Sequence, residues 1–322
     1  MRYFFVKIGS GNVHAVPLLD EQRLGHPAVA GFFRSVPLLE VIERQDDPSV
    51  RFSRQVIDLY RWSLGDPDVA GYGICVAAGF VWVLEPAGPM YEMEREVFED
   101  RVGPVTHSDD IPKIVPVRIL TRERITRVPT LVVHLTSNRH LSSSTFKEIT
   151  EDFGTIVAIE HVLFKAGIQR SYPTITGETR TLYHLLQCLG GNELIILVIQ
   201  ILEDRGLRVA APTGGFVRNI DLIAYNDTPR AITIDGLTVP PRRNFRSGAI
   251  TIQVRGALQE TQPTREAEVD YVIQINADPA PQILNFRWFE STLSVGGEAR
   301  ERFSRLVRWV PFAGQVIRSL TG

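Results

Sequence analysis

Apolar positions in the segment 192–256 follow two different periods. At 192–205 they recur at helical spacing, and Gly206 ends the predicted helix. Runs of β-forming residues follow at 207–210 and 219–225, with turn residues between them. A further strand is predicted to end at 252–256. The pattern therefore predicts one helix followed by three strands.

The sequence around this segment predicts additional elements of the same domain. They are a helix at Glu178–Leu189, an extra hairpin at Ile232–Val239, strands at Val269–Ile275 and Ile283–Phe289, and a last helix at Glu298–Val310. The hairpin lengthens the interval between Asp221 and Gln253.

The first 150 residues predict a strand-rich unit. Its predicted strands are Arg2–Lys7, two strands within Gly71–Leu84, Ile114–Leu120 and Thr130–Leu135. Helical spacing marks Val50–Trp62, and a serine cap with an acid downstream predicts a helix over Ser142–Ile149.

Four polar side chains stand at defined places in the segment 192–256. Glu193 lies in the first turn of the predicted helix, and Asp221 is the single acid of an apolar strand. Gln253 and Arg255 share one strand face, because side chains alternate along a strand. Each also has an ordinary explanation. An acid in a first helical turn stabilises the helix dipole, and polar strand residues commonly form a solvated face.

In order and spacing, Glu193, a Gly-Gly turn at 214–215, the run Asp221–Ala224 and the run Ile252–Gly256 resemble the core of the Mrr-like PD-(D/E)xK restriction endonucleases. The resemblance covers about a fifth of the chain. It implies an α/β fold in which a mixed sheet is flanked by helices. It also implies a magnesium-dependent DNA endonuclease of a restriction or phage-defence system, which hydrolyses phosphodiester bonds with Mg²⁺ or Mn²⁺.

The resemblance assigns a role to each of the four side chains. Asp221, Glu193 and Gln253 would be the metal ligands, which suits the preference of magnesium for hard oxygen ligands. Arg255 stands where the family has a lysine that orients the attacking water and offsets developing charge.

The arginine at position 255 leaves two alternatives open. Only four of the 35 basic residues are lysines, and none follows Lys165. Arg255 is therefore either an electrostatic substitute in a chain that favours arginine, or the mark of an inactive nuclease fold. In the second case the protein would bind DNA or act as a scaffold for a partner. Arginine cannot be deprotonated, and its planar fork differs from a compact ammonium.

The formal net charge of −2 neither favours nor excludes DNA as the partner, since basic residues are often confined to one surface. Four arginines are expected to contact phosphates: Arg218, Arg242, Arg243 and Arg246. The resemblance also implies a homodimer, because cutting two strands needs two sites.

The first half resembles, more loosely, the PUA-like (EVE-type) reader modules that precede nuclease domains. The pattern from Arg61 to Val69 and the hairpin after it carry this resemblance. Such modules hold a flipped base against aromatic rings. The candidates for a base pocket are Trp62, Trp82 and Tyr91, although aromatic residues in a small β-domain usually belong to the core.

Composition restricts the remaining possibilities. The hydrophobic share of 44% and the charged share of 22% are typical of soluble globular proteins. Cys75 and Cys188 lie far apart in apolar segments, and the seven histidines show no zinc-ligand spacing. No apolar run is long enough to span a membrane, and no signal peptide is recognisable. We therefore expect a cytoplasmic protein without a membrane partner.

The expected organisation is a β-rich recognition domain at 1–150, a junction at 151–177 and a restriction-endonuclease-like domain at 178–322. A third class of function also stays open, in which the first half binds a nucleotide messenger. The fragment Gly9–Asn12 after the first strand is too short to count as a phosphate-binding loop.

Overall fold

The structure is a computed structural model that describes residues 1–34, 36–44, 54–105, 107, 109–136, 145–150, 153–211, 220–242, 248–255, 269–278, 280 and 282–320. Three of the predicted phosphate contacts, Arg218, Arg243 and Arg246, lie outside these residues. The chain divides into two compact units, Met1–Glu151 with Ala158–Pro173 and Asp152–Val157 with Thr174–Gly322.

The first unit is built on a curled mixed sheet, which has seven strands in the described residues. These are β1 (Arg2–Val6), β2 (Ala28–Arg34), β3 (Gly71–Ala77), β4 (Phe80–Pro86), β5 (Tyr91–Glu92), β6 (Asp110–Arg124) and β7 (Phe146–Glu148). The order is β2-β6-β4-β3-β1-β7, with β5 paired to β6. The long β6 pairs with β2 along its first half and with β4 along its second half, and the register with β4 shifts between Val83 and Leu84. A bulge of this kind bends a strand, which fits the curl of the sheet.

Short helices accompany this sheet. They are α1 (Leu38–Arg44), α2 (Arg54–Ser63), α3 (Arg95–Arg101) and α4 (Thr130–Val133), and α5 (Phe153–Lys165) contributes residues to both units. Large aromatic side chains, among them Trp62, Trp82, Phe98 and Phe146, fill the core.

The charged side chain of Lys113 is fully buried in the first unit. Its Nζ lies 3.5 Å from Oε2 of Glu92 on the neighbouring strand β5 and donates to the carbonyl of Ile111 at 3.3 Å. Burial lowers the pKa of Lys113, and the attraction to Glu92 raises it again in part. The ammonium is thus held by partners within the protein.

The second unit contains a five-stranded sheet in its described part, with the order β14-β13-β12-β9-β8, and a separate hairpin. The sheet strands are β8 (Arg208–Ala210), β9 (Leu222–Tyr225), β12 (Ala249–Arg255), β13 (Tyr271–Gln274) and β14 (Ile283–Leu284), and the hairpin is β10 (Ile232–Ile234) with β11 (Leu237–Val239). Strand β9 is antiparallel to both of its neighbours, β8 and β12, whereas β12, β13 and β14 run parallel to one another.

Helices pack on one face of this sheet. They are α6 (Leu182–Gln187), α7 (Gly191–Asp204), α8 (Phe286–Ser294), α9 (Glu298–Leu306) and α10 (Ala313–Ser319). The buried residues of α7 recur at helical spacing and share one apolar cluster with Leu222, Ile252 and Val254. The alternate residues of β9 and β12 therefore point to the other face, where most of them are half-buried.

The predicted mixed α/β architecture is confirmed, as is the hairpin of β10 and β11, but three element predictions are wrong. The β-branched run after Thr130 forms the helix α4 and a following 3₁₀ turn. Phe146, expected in a helix, lies in β7, where it pairs with β1 and stacks on Phe4 with ring centroids 4.7 Å apart. Residues from Phe286 onward form α8 because Asn285 caps it, its side chain accepting the N–H of Arg287 at 3.1 Å.

No helix in the part of the chain that the structure describes is long and apolar enough to cross a membrane.

Candidate functional site

The sheet of the second unit places Asp221 beside Gln253. Strands β9 and β12 pair with Leu222 opposite Ile252, and the same antiparallel register puts Asp221 opposite Gln253. The N–H of Asp221 donates to the carbonyl of Ile252 at 3.0 Å, which extends the pairing to this residue. Both side chains therefore lie on the face opposite the apolar cluster.

The carboxylate of Asp221 is held by the backbone of β12. Its Oδ2 accepts the N–H of Val254 at 2.7 Å. Burial raises the pKa of Asp221 above its ordinary range, whereas the Val254 N–H and the charge of Arg255 lower it in part. Within the described residues Oδ1 of this half-buried acid has no hydrogen-bond partner.

Arg255 shares the face with Gln253 and is bonded to it. Its Nε and Nη2 donate to Oε1 of Gln253 at 3.1 and 2.9 Å. The parallel neighbour β13 places Gln274 opposite Arg255, and Gln274 donates to Asn276 at 3.1 Å. A carboxylate, two amides and a guanidinium thus lie together where β12 and β13 end and β9 begins.

Glu193 is placed at the N-terminus of α7. Its Oε2 accepts the N–H of Gly190 at 2.8 Å, so from position N3 it caps one of the free N–H groups at the start of the helix. This contact gives the side chain the structural role that sequence reasoning allowed as the ordinary explanation. Its assignment as a metal ligand remains a prediction.

The donors near Asp221 suit magnesium in part. Among the described residues no three His, Cys, Asp or Glu side chains lie close enough together to hold a metal ion. Magnesium, however, commonly takes one or two carboxylates and fills its shell with water and substrate phosphate. Asp221 fits that pattern. Gln253 would have to release Arg255 before its Oε1 could join the shell.

Arg242 is the one predicted phosphate contact within the described residues, and it belongs to an exposed cluster. Its Nη1 donates to Oδ1 of Asp227 at 2.8 Å, and Nε of Arg208 donates to Oδ2 of the same carboxylate at 3.0 Å. The guanidinium of Arg208 also lies over the ring of Tyr225, 4.6 Å from its centroid. Sequence reasoning missed Arg208, Asp227 and Tyr225, because only the pairing of β8 with β9 brings them together.

The three aromatic candidates of the first unit differ in exposure. Trp62 and Trp82 are fully buried in the core, and Trp62 donates its indole N–H to the carbonyl of Gly71 at 2.9 Å. Tyr91 is half-buried beside His26, with ring centroids 6.5 Å apart. Core packing accounts for both tryptophans, so the predicted base pocket depends on Tyr91.

Comparison with known proteins adds little to this picture. The sequence matches no protein-family model and no curated protein closely enough to assign a family. A solved structure described as the DNA modification-dependent restriction endonuclease AspBHI aligns with 98% of this chain and 85% of its own length, at 12% identity and a TM-score of 0.21. A TM-score that low supports no conclusion about fold or activity, so the function has to be argued from the side chains themselves.

Proposed function

We propose that the chain is a magnesium-dependent DNA endonuclease of the restriction or phage-defence type, with Asp221 as the central metal ligand. One observation carries the proposal: Asp221 lies opposite Gln253 on a polar sheet face, and Arg255 follows two residues later on that same face. This is the arrangement that the sequence resemblance to PD-(D/E)xK nucleases predicts.

Two residues of this face have different roles in the proposed reaction. Asp221 offers an anionic oxygen, and Arg255 offers a fixed positive charge near the phosphoryl group. A bound Mg²⁺ supplies Lewis acidity and lowers the pKa of a coordinated water. Arg255 stays protonated, so it stabilises charge and does not act as the base.

The test is cleavage of plasmid and labelled duplex DNA with Mg²⁺, Mn²⁺ or EDTA. Wild type should cut with either metal, and Asp221→Ala should not. Asp278→Ala, which removes an exposed acid of the same unit, should cut like wild type. Equal cutting by Asp221→Ala and wild type would show that the site is assigned wrongly.

A second candidate function is DNA binding without catalysis. The double hydrogen bond from Arg255 to Gln253 favours it, because both groups are engaged with each other. Here wild type binds DNA but does not cut it. Cutting that appears only in Arg255→Lys would support this degenerate state.

We also propose that the first unit recognises DNA, with Tyr91 at the base. The support is the half-exposed ring of Tyr91 beside His26. Tyr91→Ala should weaken binding to duplexes with modified bases more than to unmodified ones. Equal effects on both would remove Tyr91 from base recognition.

A further inference from the structure

The sheet face that carries Asp221 also carries a second polar group at its other end. Asp221, Ile223 and Tyr225 alternate onto this face along β9, and Arg208 of β8 pairs opposite Tyr225 on the same side. Tyr225 lies four positions after Asp221 on the strand, and four rises of about 3.3 Å correspond to about 13 Å. A single ligand of that length would reach both ends.

The group at this end consists of Arg208, Asp227 and Arg242, here called the arginine clamp. Asp227 accepts one hydrogen bond on each carboxylate oxygen, from Arg208 at 3.0 Å and from Arg242 at 2.8 Å. The clamp therefore has two positive charges and one negative charge. Within the described residues, Nη1 and Nη2 of Arg208 donate no hydrogen bond.

The backbone around the clamp is fixed by buried contacts. Asn226, fully buried, donates to the carbonyls of Arg230 and Val239 at 2.7 and 3.1 Å and accepts from Thr228. The N–H of Asn226 donates to the carbonyl of Gly248 at 2.7 Å. Asp227 follows directly on this anchored residue, so its position does not depend on the arginines.

Gly248 fixes the other side of the clamp. A Cβ at this position would lie 2.6 Å from Cα of Arg242, and its φ of +84° is in the left-handed region. Only glycine allows the backbone of Arg242 to approach this closely. Arg242 is thereby held next to the loop that carries Asp227.

The clamp contributes little to stability. Its members expose between 39% and 58% of their side chains, and exposed ion pairs contribute about 0–1 kcal/mol. Two arginines that converge on one carboxylate with net positive charge are instead suited to a second anion. Guanidinium groups match the geometry of phosphate and bind it through paired N–H donors.

We infer that the arginine clamp anchors a backbone phosphate of the DNA strand whose scissile phosphate lies at Asp221. This inference rests on the proposed function for the choice of ligand. Asp227 is a positioning residue that orients the two guanidiniums, and the ring of Tyr225 packs against the guanidinium of Arg208. The distance of about 13 Å corresponds to about four base-pair rises of 3.4 Å along the axis of a DNA duplex.

The test is fluorescence anisotropy with a labelled duplex without divalent metal, over a range of salt concentrations. Arg208→Ala and Arg242→Ala should each weaken binding about tenfold, as expected for a hydrogen bond to a charged group. Each should also lower the slope of log K against log salt by about 0.9, the amount due to one phosphate. Arg302→Ala, which removes an exposed arginine of α9, should change neither quantity to that extent.

Asp227→Asn separates orientation from simple charge. Loss of a negative charge alone would tighten binding to DNA, whereas loss of orientation weakens it. We expect weaker binding, and Arg208→Lys should lie between wild type and Arg208→Ala. Tighter binding by Asp227→Asn, unchanged binding by both alanine variants, or a wild type that does not bind duplex DNA would each overturn the clamp.

Cleavage by the same proteins tests the proposed function separately. If the clamp variants bind weakly and the wild type binds DNA but never cuts it, the clamp binds phosphate as inferred and the protein is not a nuclease. If the clamp variants cut normally and bind DNA as tightly as wild type, the protein is a nuclease but the clamp does not anchor a phosphate.

Discussion

The two sheets hold their charged side chains in different ways. In the first unit the ammonium of Lys113 is sealed in the interior with Glu92 and a carbonyl as its partners. In the second unit Asp221 accepts one backbone N–H, and its other oxygen has no hydrogen-bond partner in the described residues. A buried charge with internal partners serves the fold, whereas one with remaining capacity can serve a ligand. The comparison therefore supports the proposed site in the second sheet.

Asp221→Asn sharpens the comparison most. Cutting should fall more than about 100-fold, because even outer-shell partners of metal ligands cost 10- to 100-fold when removed. Folding should not suffer, since asparagine can still accept the Val254 N–H. The folded pKa of Asp221 is raised, so ionising it as the pH rises costs stability in wild type, and asparagine avoids that cost. Rates of cutting and urea unfolding at neutral pH measure the two effects, and a large loss of stability would contradict the assignment.

Gly248→Ala should be the most destabilising of the small substitutions. The left-handed φ and the approach to Arg242 together should cost about 2–4 kcal/mol of unfolding free energy. Gly206→Ala is the matched control, because its φ is +82° but a Cβ there would meet nothing within 4 Å. Its cost should be about 1–2 kcal/mol. Equal losses in urea unfolding would show that the contact with Arg242 is unimportant.

Glu92→Gln tests the other half of the comparison. It should lower the unfolding free energy by about 1–3 kcal/mol, because Lys113 loses its charged partner, and it should leave cutting unchanged. Lys113→Met should be closer to wild type, since an apolar chain needs no partner. The folded pKa of Lys113 is lowered, so wild-type stability should rise as the pH rises through that pKa toward 10.4, and Lys113→Met should lack this rise.

Arg255→Ala should slow cutting, because it removes the positive charge near the phosphoryl group. It should also shift the pH dependence of the cutting that remains, and this shift is the smallest of the expected effects. The charge of Arg255 lowers the pKa of Asp221, so its loss should move the acid limb of cutting to higher pH. Arg255→Lys should keep the limb close to that of wild type. A shift to lower pH in Arg255→Ala would contradict the electrostatic link, and rates between pH 4 and 8 would reveal it.

Sequence reasoning could predict the placement of Asp221, Gln253 and Arg255 because its signals are local. Alternation along a strand predicted that Gln253 and Arg255 share a face, and the order of the elements predicted Asp221 near them. It could not find the arginine clamp. Arg208 and Tyr225 are far apart in the chain, and only the register of β8 against β9 brings them together.

The wrong element predictions have physical causes of the same kind. Phe146 pairs and stacks with distant residues of β1, so tertiary contacts override the local serine cap. The helix α8 shows the opposite case, since the local cap at Asn285 specifies the helix, whereas the strand prediction rested on the apolar run alone.

The short strand β8 also bears on how molecules of this protein meet each other. It is the last strand on its side of the described sheet, it has three residues, and Arg208 projects from it. A short edge strand with a cationic side chain hinders a neighbouring molecule from pairing its own strand with the sheet. Such pairing is a common route to insoluble fibres. The protein should therefore not assemble through the edge at β8 even in concentrated solution, and any dimer should form through another surface.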